Sequence, residues 1–319
     1  MMEAMLKRAH SLKTGFSVQE VRHGPTVSTA YIEPDPGVRV AAIRRIEDDL
    51  AVAAHVSGVR VEVSGGGLQL QFPREPRQLV SLRDFSSIPS EKGDVLLGVD
   101  VFGDPVLSNI DDWPHLAVAG QTGGGKSVSL HSTICWLVAK NSPTDLGLVL
   151  CDPKGGEEFG RYDGLPHVVS IERTADETVS VLQQLVDQME RRYHGTSSKA
   201  RRLVLVIDEW AEIMDQSKSA VLPLKRLLQK ARAARIHVVL ATQRPSVKVI
   251  PGDLKANLPT RLCLRVATGT DSRVVLDEYG AEKLLGKGDG LLLTPQGIQR
   301  LQVPWVEPEI YDALKRHYT

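Results

Sequence analysis

With 319 residues, 42% of them hydrophobic and 24% charged, the chain has the make-up of a globular protein with room for one large or two modest domains. No apolar run approaches the ~18 residues that a membrane span needs, and Met1 to Thr14 is polar and basic, without the apolar stretch of a secretory signal. The three cysteines, Cys135, Cys151 and Cys263, lack metal-ligand spacing and read as buried thiols of a reducing, cytoplasmic compartment.

Thr26 to Ile32 alternates as a strand does, and Pro34, Pro36 and Gly37 end it. Val40, Ile43, Leu50 and Ala54 recur at helical spacing through Val40–His55. Val59 to Val63 and Leu68 to Phe72 predict a hairpin around Gly65, Gly66 and Gly67. This makes a small α+β unit, residues 1–84, with isolated histidines (His23, His55) and no catalytic constellation; its expected task is assembly or guidance. A Pro-, Arg- and Ser-rich stretch from Pro73 to Pro89 marks the boundary with residues 85–319. Val95 to Val101 and Pro105 to Leu107 then suggest a second hairpin.

His115 to Ala119 is a short apolar strand, Val128 to Lys140 a helix, and between them runs Gly120, Gln121, Thr122, Gly123, Gly124, Gly125, Lys126 and Ser127. That is G-x-x-x-x-G-K-[ST] in the strand–loop–helix setting the motif requires. Its glycines let backbone N–H groups close around a β-phosphate at a helix N-terminus, with Val128 as the next residue of the cradle. Lys126 is expected to reach the β- and γ-phosphates, and the Ser127 hydroxyl to bind Mg²⁺.

Leu146 to Cys151 predicts a buried parallel strand running into Asp152, Pro153 and Lys154; Asp152 is either a turn residue or a polar group at the ligand-binding edge of the sheet. Thr174 and Glu177 make a capping box for a helix that ends near Arg191 and Arg192. Leu203 to Ile207 is a second apolar strand, delivering Asp208 and Glu209 at its carboxyl end. Beside a phosphate loop, Asp208 is expected on Mg²⁺ or just behind it, and Glu209 as the general base that polarises water. Ser219 to Ala234 reads as helical. His237 to Thr242 is another buried strand ending at Gln243, either a γ-phosphate sensor or an ordinary strand-end amide.

Net charge is zero, but its distribution is uneven. From Lys225 onward there are 16 Lys and Arg against 9 Asp and Glu, while the preceding residues hold 23 against 30. A basic C-terminal third suits a polyanion, and unlike halves also suit head-to-tail subunit contacts.

The series Gly120 to Ser127, Asp152-Pro153-Lys154, Met189 to Tyr193, Val206 to Glu209, Ala231-Arg232-Ala233-Ala234, Ala241 to Val247 and Lys255 to Arg261 resembles the FtsK/SpoIIIE DNA translocases over nearly the whole chain. Asp271-Ser272-Arg273 and Gly280 to Gly290 continue the likeness, and Gly24 to Val27 and Pro36 to Val40 resemble the α subdomain of that family. The resemblance implies a RecA-like P-loop NTPase core of α/β class, ATP and Mg²⁺ as cofactors, and a homohexameric ring that moves double-stranded DNA without reading its sequence. It implies Lys126, Glu209, Arg232 and Gln243 as catalytic residues, with Arg232 an arginine finger serving the neighbouring subunit, and Ser127 and Asp208 as metal ligands. It implies Arg273 and the loop Thr294 to Arg300, with Gln296, as DNA-facing. Departures are Arg235 where the family usually has Gly, Trp210 where it has Leu or Phe, and a short segment between Tyr193 and Arg201. No membrane region, long linker or C-terminal winged-helix subdomain matches. The expectation is therefore a motor-only piece or a stand-alone translocase of plasmids, integrative elements or phages, with a membrane or accessory protein as a further partner. The rival readings are a related motor that secretes protein and an ATP-gated DNA clamp.

Overall fold

A computed structural model describes residues 1–64, 67–195 and 200–318; Gly65 and Gly66 of the expected hairpin turn, and most of the segment between Tyr193 and Arg201, lie outside these. The chain opens with α1 (Met2–Ser11), β1 (Phe16–His23) and β2 (Val27–Pro34), then α2 (Val40–Arg45), α3 (Glu47–Ala54), β3 (Arg60–Ser64) and β4 (Gly67–Pro73). The strands form an antiparallel sheet in the order β1-β2-β4-β3. Its apolar face buries Phe16, Ala30, Ile32 and Leu70 against Met5, Ile43 and Leu50 of the helices.

The helix expected over Val40–His55 is broken at Ile46. Glu47, Asp48 and Asp49 occupy the first turn of α3, where negative charge favours a helix start, and Glu47 turns its carboxylate back to accept the Val61 N–H at 2.8 Å. Strand β1 has no counterpart in the sequence reading because, as an edge strand, it exposes nearly every residue after Phe16.

The second sheet begins with the hairpin β5 (Asp94–Asp100) and β6 (Pro105–Asn109), followed by β7 (His115–Ala119) and α4 (Lys126–Lys140). Next come β8 (Leu146–Cys151), β9 (Val168–Glu172), α5 (Ala175–Tyr193), β10 (Arg202–Ile207), α6 (Trp210–Gln216), α7 (Val221–Lys230) and β11 (Ile236–Thr242). The chain closes with α8 (Gly252–Lys255), β12 (Thr260–Leu264), α9 (Gly269–Leu276), β13 (Asp289–Thr294), β14 (Gly297–Gln302) and α10 (Pro308–Tyr318). Ten strands run in the order β6-β5-β14-β13-β12-β7-β11-β10-β8-β9. From β12 to β9 all pairs are parallel, and from β13 outward they are antiparallel. Strands β7, β8, β10 and β11 are buried along their whole length, as sheet covered on both faces must be. Trp136 and Ile134 of α4 fill one side, and Trp210, Leu182 and Leu227 the other.

The helix expected over Ser219–Ala234 is three pieces: a 3-10 turn, α7, and a second 3-10 turn at Ala231–Ala234. Pro223, which has no N–H to give, sits in the first turn of α7, where none is needed. Arg235 closes the last turn at φ +56°, the left-handed region that glycine enters without strain, which accounts for glycine being usual there. Its guanidinium donates to the Ala200 carbonyl at 3.0 Å. Between the two sheets, the stretch before a short 3-10 turn (Leu82–Phe85) lies against the large one: Trp305 N–H donates to the Val80 carbonyl, Leu82 N–H donates to the Trp305 carbonyl, and Leu82 enters the large core.

A candidate nucleotide site at the carboxyl edge of the sheet

Parallel register brings the carboxyl ends of β7, β11 and β10 side by side, with Ala119 opposite Thr242 and Leu240 opposite Ile207. The phosphate loop leaves β7, Gln243 leaves β11, and Asp208 and Glu209 leave β10. The loop is tied down from below: Gly120 N–H donates to the Thr242 carbonyl and Gln121 N–H to the Arg265 carbonyl. Helix α4 begins at Lys126, and its first turn carries no acidic residue, so its N-terminal field is left for an anion. Gly123, Gly125, Lys126, Ser127 and Val128, with Gln121, Thr122 and Gln243, line a cavity of about 830 Å³.

Lys126 is buried, and its Nζ donates to both the carbonyl and the carboxylate of Asp208, itself buried. Glu209 accepts from the Thr242 hydroxyl at 2.7 Å and from the Gln243 N–H at 2.9 Å. The Thr122 hydroxyl and the Gln243 side-chain amide are 3.1 Å apart. Lys126, Asp208, Glu209 and Gln243 thus form one connected group, but neither Asp208 nor Glu209 is among the residues that line the cavity.

The carboxylate that does line it is Glu158. Its Oε1 accepts from the Ser127 hydroxyl at 2.9 Å, and its Oε2 stands 3.2 Å from His131 Nε2. An ionised carboxylate can only accept, so Nε2 carries a proton toward it, while Nδ1 stands 2.8 Å from the Tyr162 hydroxyl. The hydrogen bond from His131, then that from Ser127, outweigh burial and hold the Glu158 carboxyl at about 2. Asp152, the residue with two readings, is fully buried and accepts N–H groups of Lys154, Glu158 and Phe159; it is the turn residue whose loop aims Glu158. The sequence offered one clue to this trio, Ser127 and His131 one helical turn apart; Glu158 was hidden because only the folded loop brings it there.

Magnesium prefers oxygen donors and keeps few protein ligands beside phosphate. The Ser127 hydroxyl is such a donor in the cavity lining; the Asp208 carboxylate is one by its chemistry, but it lies behind the lining and would have to be released by Lys126. Among the described residues no cluster of three His, Cys, Asp or Glu could hold a metal alone, and a phosphate-borne Mg²⁺ needs none.

Arg232 lies before the first residue of β11 and so at the opposite edge, roughly 20 Å from the phosphate loop across that strand. It is exposed, and its guanidinium donates to the Asp111 carbonyl at 2.8 and 3.0 Å. Arg273 is exposed on α9, with its guanidinium over the Tyr279 ring. Gln296 is exposed at the turn between β13 and β14. Arg300 requires a correction: it lies within β14 and not in a loop, it is buried, and both arms of its guanidinium are taken by Asp289 at 2.8 and 2.9 Å. Its charge is spent inside the protein, out of reach of a phosphate backbone.

A parallel sheet with a phosphate loop after β7, acidic residues at the end of β10 and a polar strand end at β11 between them defines a RecA-like P-loop ATPase. Sequence comparison narrows this. The FtsK/SpoIIIE family profile matches residues 87–202 and 194–247, and the FtsK alpha domain profile matches residues 1–70. The chain belongs to the FtsK/SpoIIIE family. It is 37% identical to a DNA translocase FtsK of Bacillus cereus over 89% of this chain, and 35% identical to one of Helicobacter pylori over 96%. In each case it spans 40% of the relative's length. Among solved structures, the conjugation coupling protein TcpA of pCW3, a monomer with ATPγS, superposes with a TM-score of 0.69 at 20% identity, over 99% of both chains. The type VII secretion ATPase EccC of Thermomonospora curvata superposes with a TM-score of 0.62 at 24% identity, over 73% of this chain and 32% of its own. At these identities the two structures speak to the fold alone. Among the described residues no helix is long and apolar enough to cross a membrane.

Proposed function

We propose that this chain is an ATP-driven translocase of double-stranded DNA that works as a hexameric ring in the cytoplasm and does not read sequence. Kinship with DNA translocases supports the substrate. What supports the oligomer is the place of Arg232 at the sheet edge opposite the phosphate loop of its own chain: as an arginine finger it would serve a neighbour's nucleotide.

In this reading Gly120 to Val128 wrap the phosphates, and Lys126 leaves Asp208 for the β- and γ-oxygens. Ser127 and Asp208 would hold Mg²⁺, which neutralises charge on the phosphates when bound. Glu209 turns from the Gln243 N–H toward the attacking water, and Gln243, joined to Thr122, registers whether the γ-phosphate is present. Arg232 of the next subunit gives up the Asp111 carbonyl and stabilises charge in the transition state. Residues 85–319 form the motor and residues 1–84 its assembly unit. Arg273 and Gln296, both exposed, face the DNA.

The test is steady-state ATP hydrolysis with and without linear double-stranded DNA at low and high salt. Strong stimulation that falls with salt is expected, followed by displacement of a triplex-forming strand as the sign of movement. Hydrolysis that ignores DNA and responds to a protein substrate would overturn the proposal in favour of secretion. Stimulation without triplex displacement would reduce the protein to a clamp.

A further inference from the structure

The cavity at the phosphate loop extends well beyond what phosphates need. Its far wall is built by Arg77, Gln78, Leu79 and Val80 on one side and by Val303 and Trp305 on the other. These two stretches are bonded together as a short parallel bridge, in which Ser81 pairs with Trp305. Side chains alternate across an extended segment. Val80 and Leu82 are buried, while Leu79, two residues before the Ser81 that pairs with Trp305, falls on the Trp305 side of the bridge. Leu79 is 73% exposed and Trp305 is 44% exposed. Single apolar residues on a surface need no explanation. A leucine and a tryptophan on the same face of one bridge, both opening into a cavity that also holds Gly125, Lys126 and Ser127, do.

Resting on the nucleotide reading above, we infer that Trp305 and Leu79 form the seat of the nucleobase, the indole stacking on the purine and the leucine closing its other side. Stacking on an aromatic ring holds a base without hydrogen-bond readout. Thr26 and Gln78 line the same cavity and bring a hydroxyl and an amide to the edge of the ring. The volume, about 830 Å³, is in the range of small-molecule sites and accommodates a whole nucleotide. One half of the seat comes from the segment that follows the N-terminal sheet and the other from the segment just after β14, so a bound base bridges two distant parts of the chain.

The full chain carries its own probe. Of its four tryptophans, Trp113, Trp136 and Trp210 are at most 3% exposed, and Trp305 alone opens to the cavity. MgATP should quench tryptophan fluorescence, whereas inorganic tripolyphosphate should bind competitively without quenching. Trp305→Phe should lose most of the signal and keep most of the affinity. Trp305→Ala should weaken ATP binding, measured by calorimetry, by roughly 5- to 150-fold and leave tripolyphosphate affinity unchanged. Leu79→Ala, at a position too exposed to disturb folding, should weaken ATP in the same selective way. If ATP binds wild type without quenching and both alanine variants keep full affinity, the base seat is wrong while the phosphate site stands. If wild type binds neither ATP nor tripolyphosphate, the nucleotide reading fails and the seat with it.

Discussion

Replacing Lys126 with Ala is expected to destabilise the protein before any nucleotide is added. Lys126 and Asp208 are 3% and 1% exposed, and the Asp208 carboxylate is paired with the Lys126 ammonium. Removing the lysine strands a buried carboxylate. Breaking a buried pair from one side costs about 3–5 kcal/mol. For a cooperative unit of this size that lowers the unfolding midpoint by roughly 6–20 °C. The assay is thermal unfolding of wild type, Lys126→Ala and the double variant Lys126→Met/Asp208→Asn, without nucleotide and at one ionic strength. The double variant, which removes both charges and refills the volume, should recover most of the loss. Hydrolysis, measured well below all three midpoints, should be absent from both variants. A single variant that melts with wild type, or a double variant no better than the single one, would refute the reasoning: the pair would then carry no weight in the fold, and phosphate would meet no competitor for Lys126.

Arg232→Ala should bind MgATP as wild type does and lose about 10³-fold in turnover; wild-type hydrolysis in the assembled protein would assign the finger to another arginine. Arg300→Ala should cost about 3–5 kcal/mol in unfolding free energy, whereas Arg273→Ala should melt within about 0.5 kcal/mol of wild type and lower the salt slope of DNA binding by about one. The reverse pattern would reinstate Arg300 at the DNA. Burial, then the nearby charge of His237, holds His115 near 3, and His115 Nδ1 accepts the Val238 N–H at 3.0 Å. A depressed folded value means the fold favours the neutral ring, so its contribution is intact above pH 6.5 and lost as pH falls from there toward 3. The slope is about 1.4 kcal/mol per pH unit. Unfolding followed between pH 7 and 5 should show this slope in wild type and a flatter one in His115→Gln; identical slopes would exclude His115 as the source.

What the sequence made legible follows from how strongly each element is buried. The strands β7, β8, β10 and β11 stand out as apolar runs because they are covered on both faces, and their polar ends mark the site. The edge strand β1 exposes most of its residues, and the edge strand β9 buries none of its residues fully, so neither carries a clean pattern. The break at Ile46 goes with a long-range partner, Val61, and the one at Ala231 with the left-handed backbone of Arg235 just beyond it, neither of which periodicity registers. In the site, residues fixed by a local motif were readable. Glu158 and Trp305 were not, since each reaches the cavity from a different part of the fold. Arg300 was misplaced because a motif position says nothing about whether a charge is already paired.

The same geometry bears on how a nucleotide is felt elsewhere in the chain. The phosphate loop is bonded to the segment before β13: Lys287 N–H donates to the Gly123 carbonyl and Gly288 N–H to the Gly124 carbonyl at 2.8 Å. The approach is so close that a Cβ on Gly125, at φ +113°, would lie 2.5 Å from the Gly288 nitrogen. Only glycine allows the two backbones to touch. An adjustment of the loop around phosphate therefore meets Gly288 first, one residue from β13. Strand β13 is paired with β12 and β14 along its length and ends at the turn that carries Gln296. It spans six residues, roughly 20 Å, so a continuous hydrogen-bonded path joins the phosphate loop to that turn.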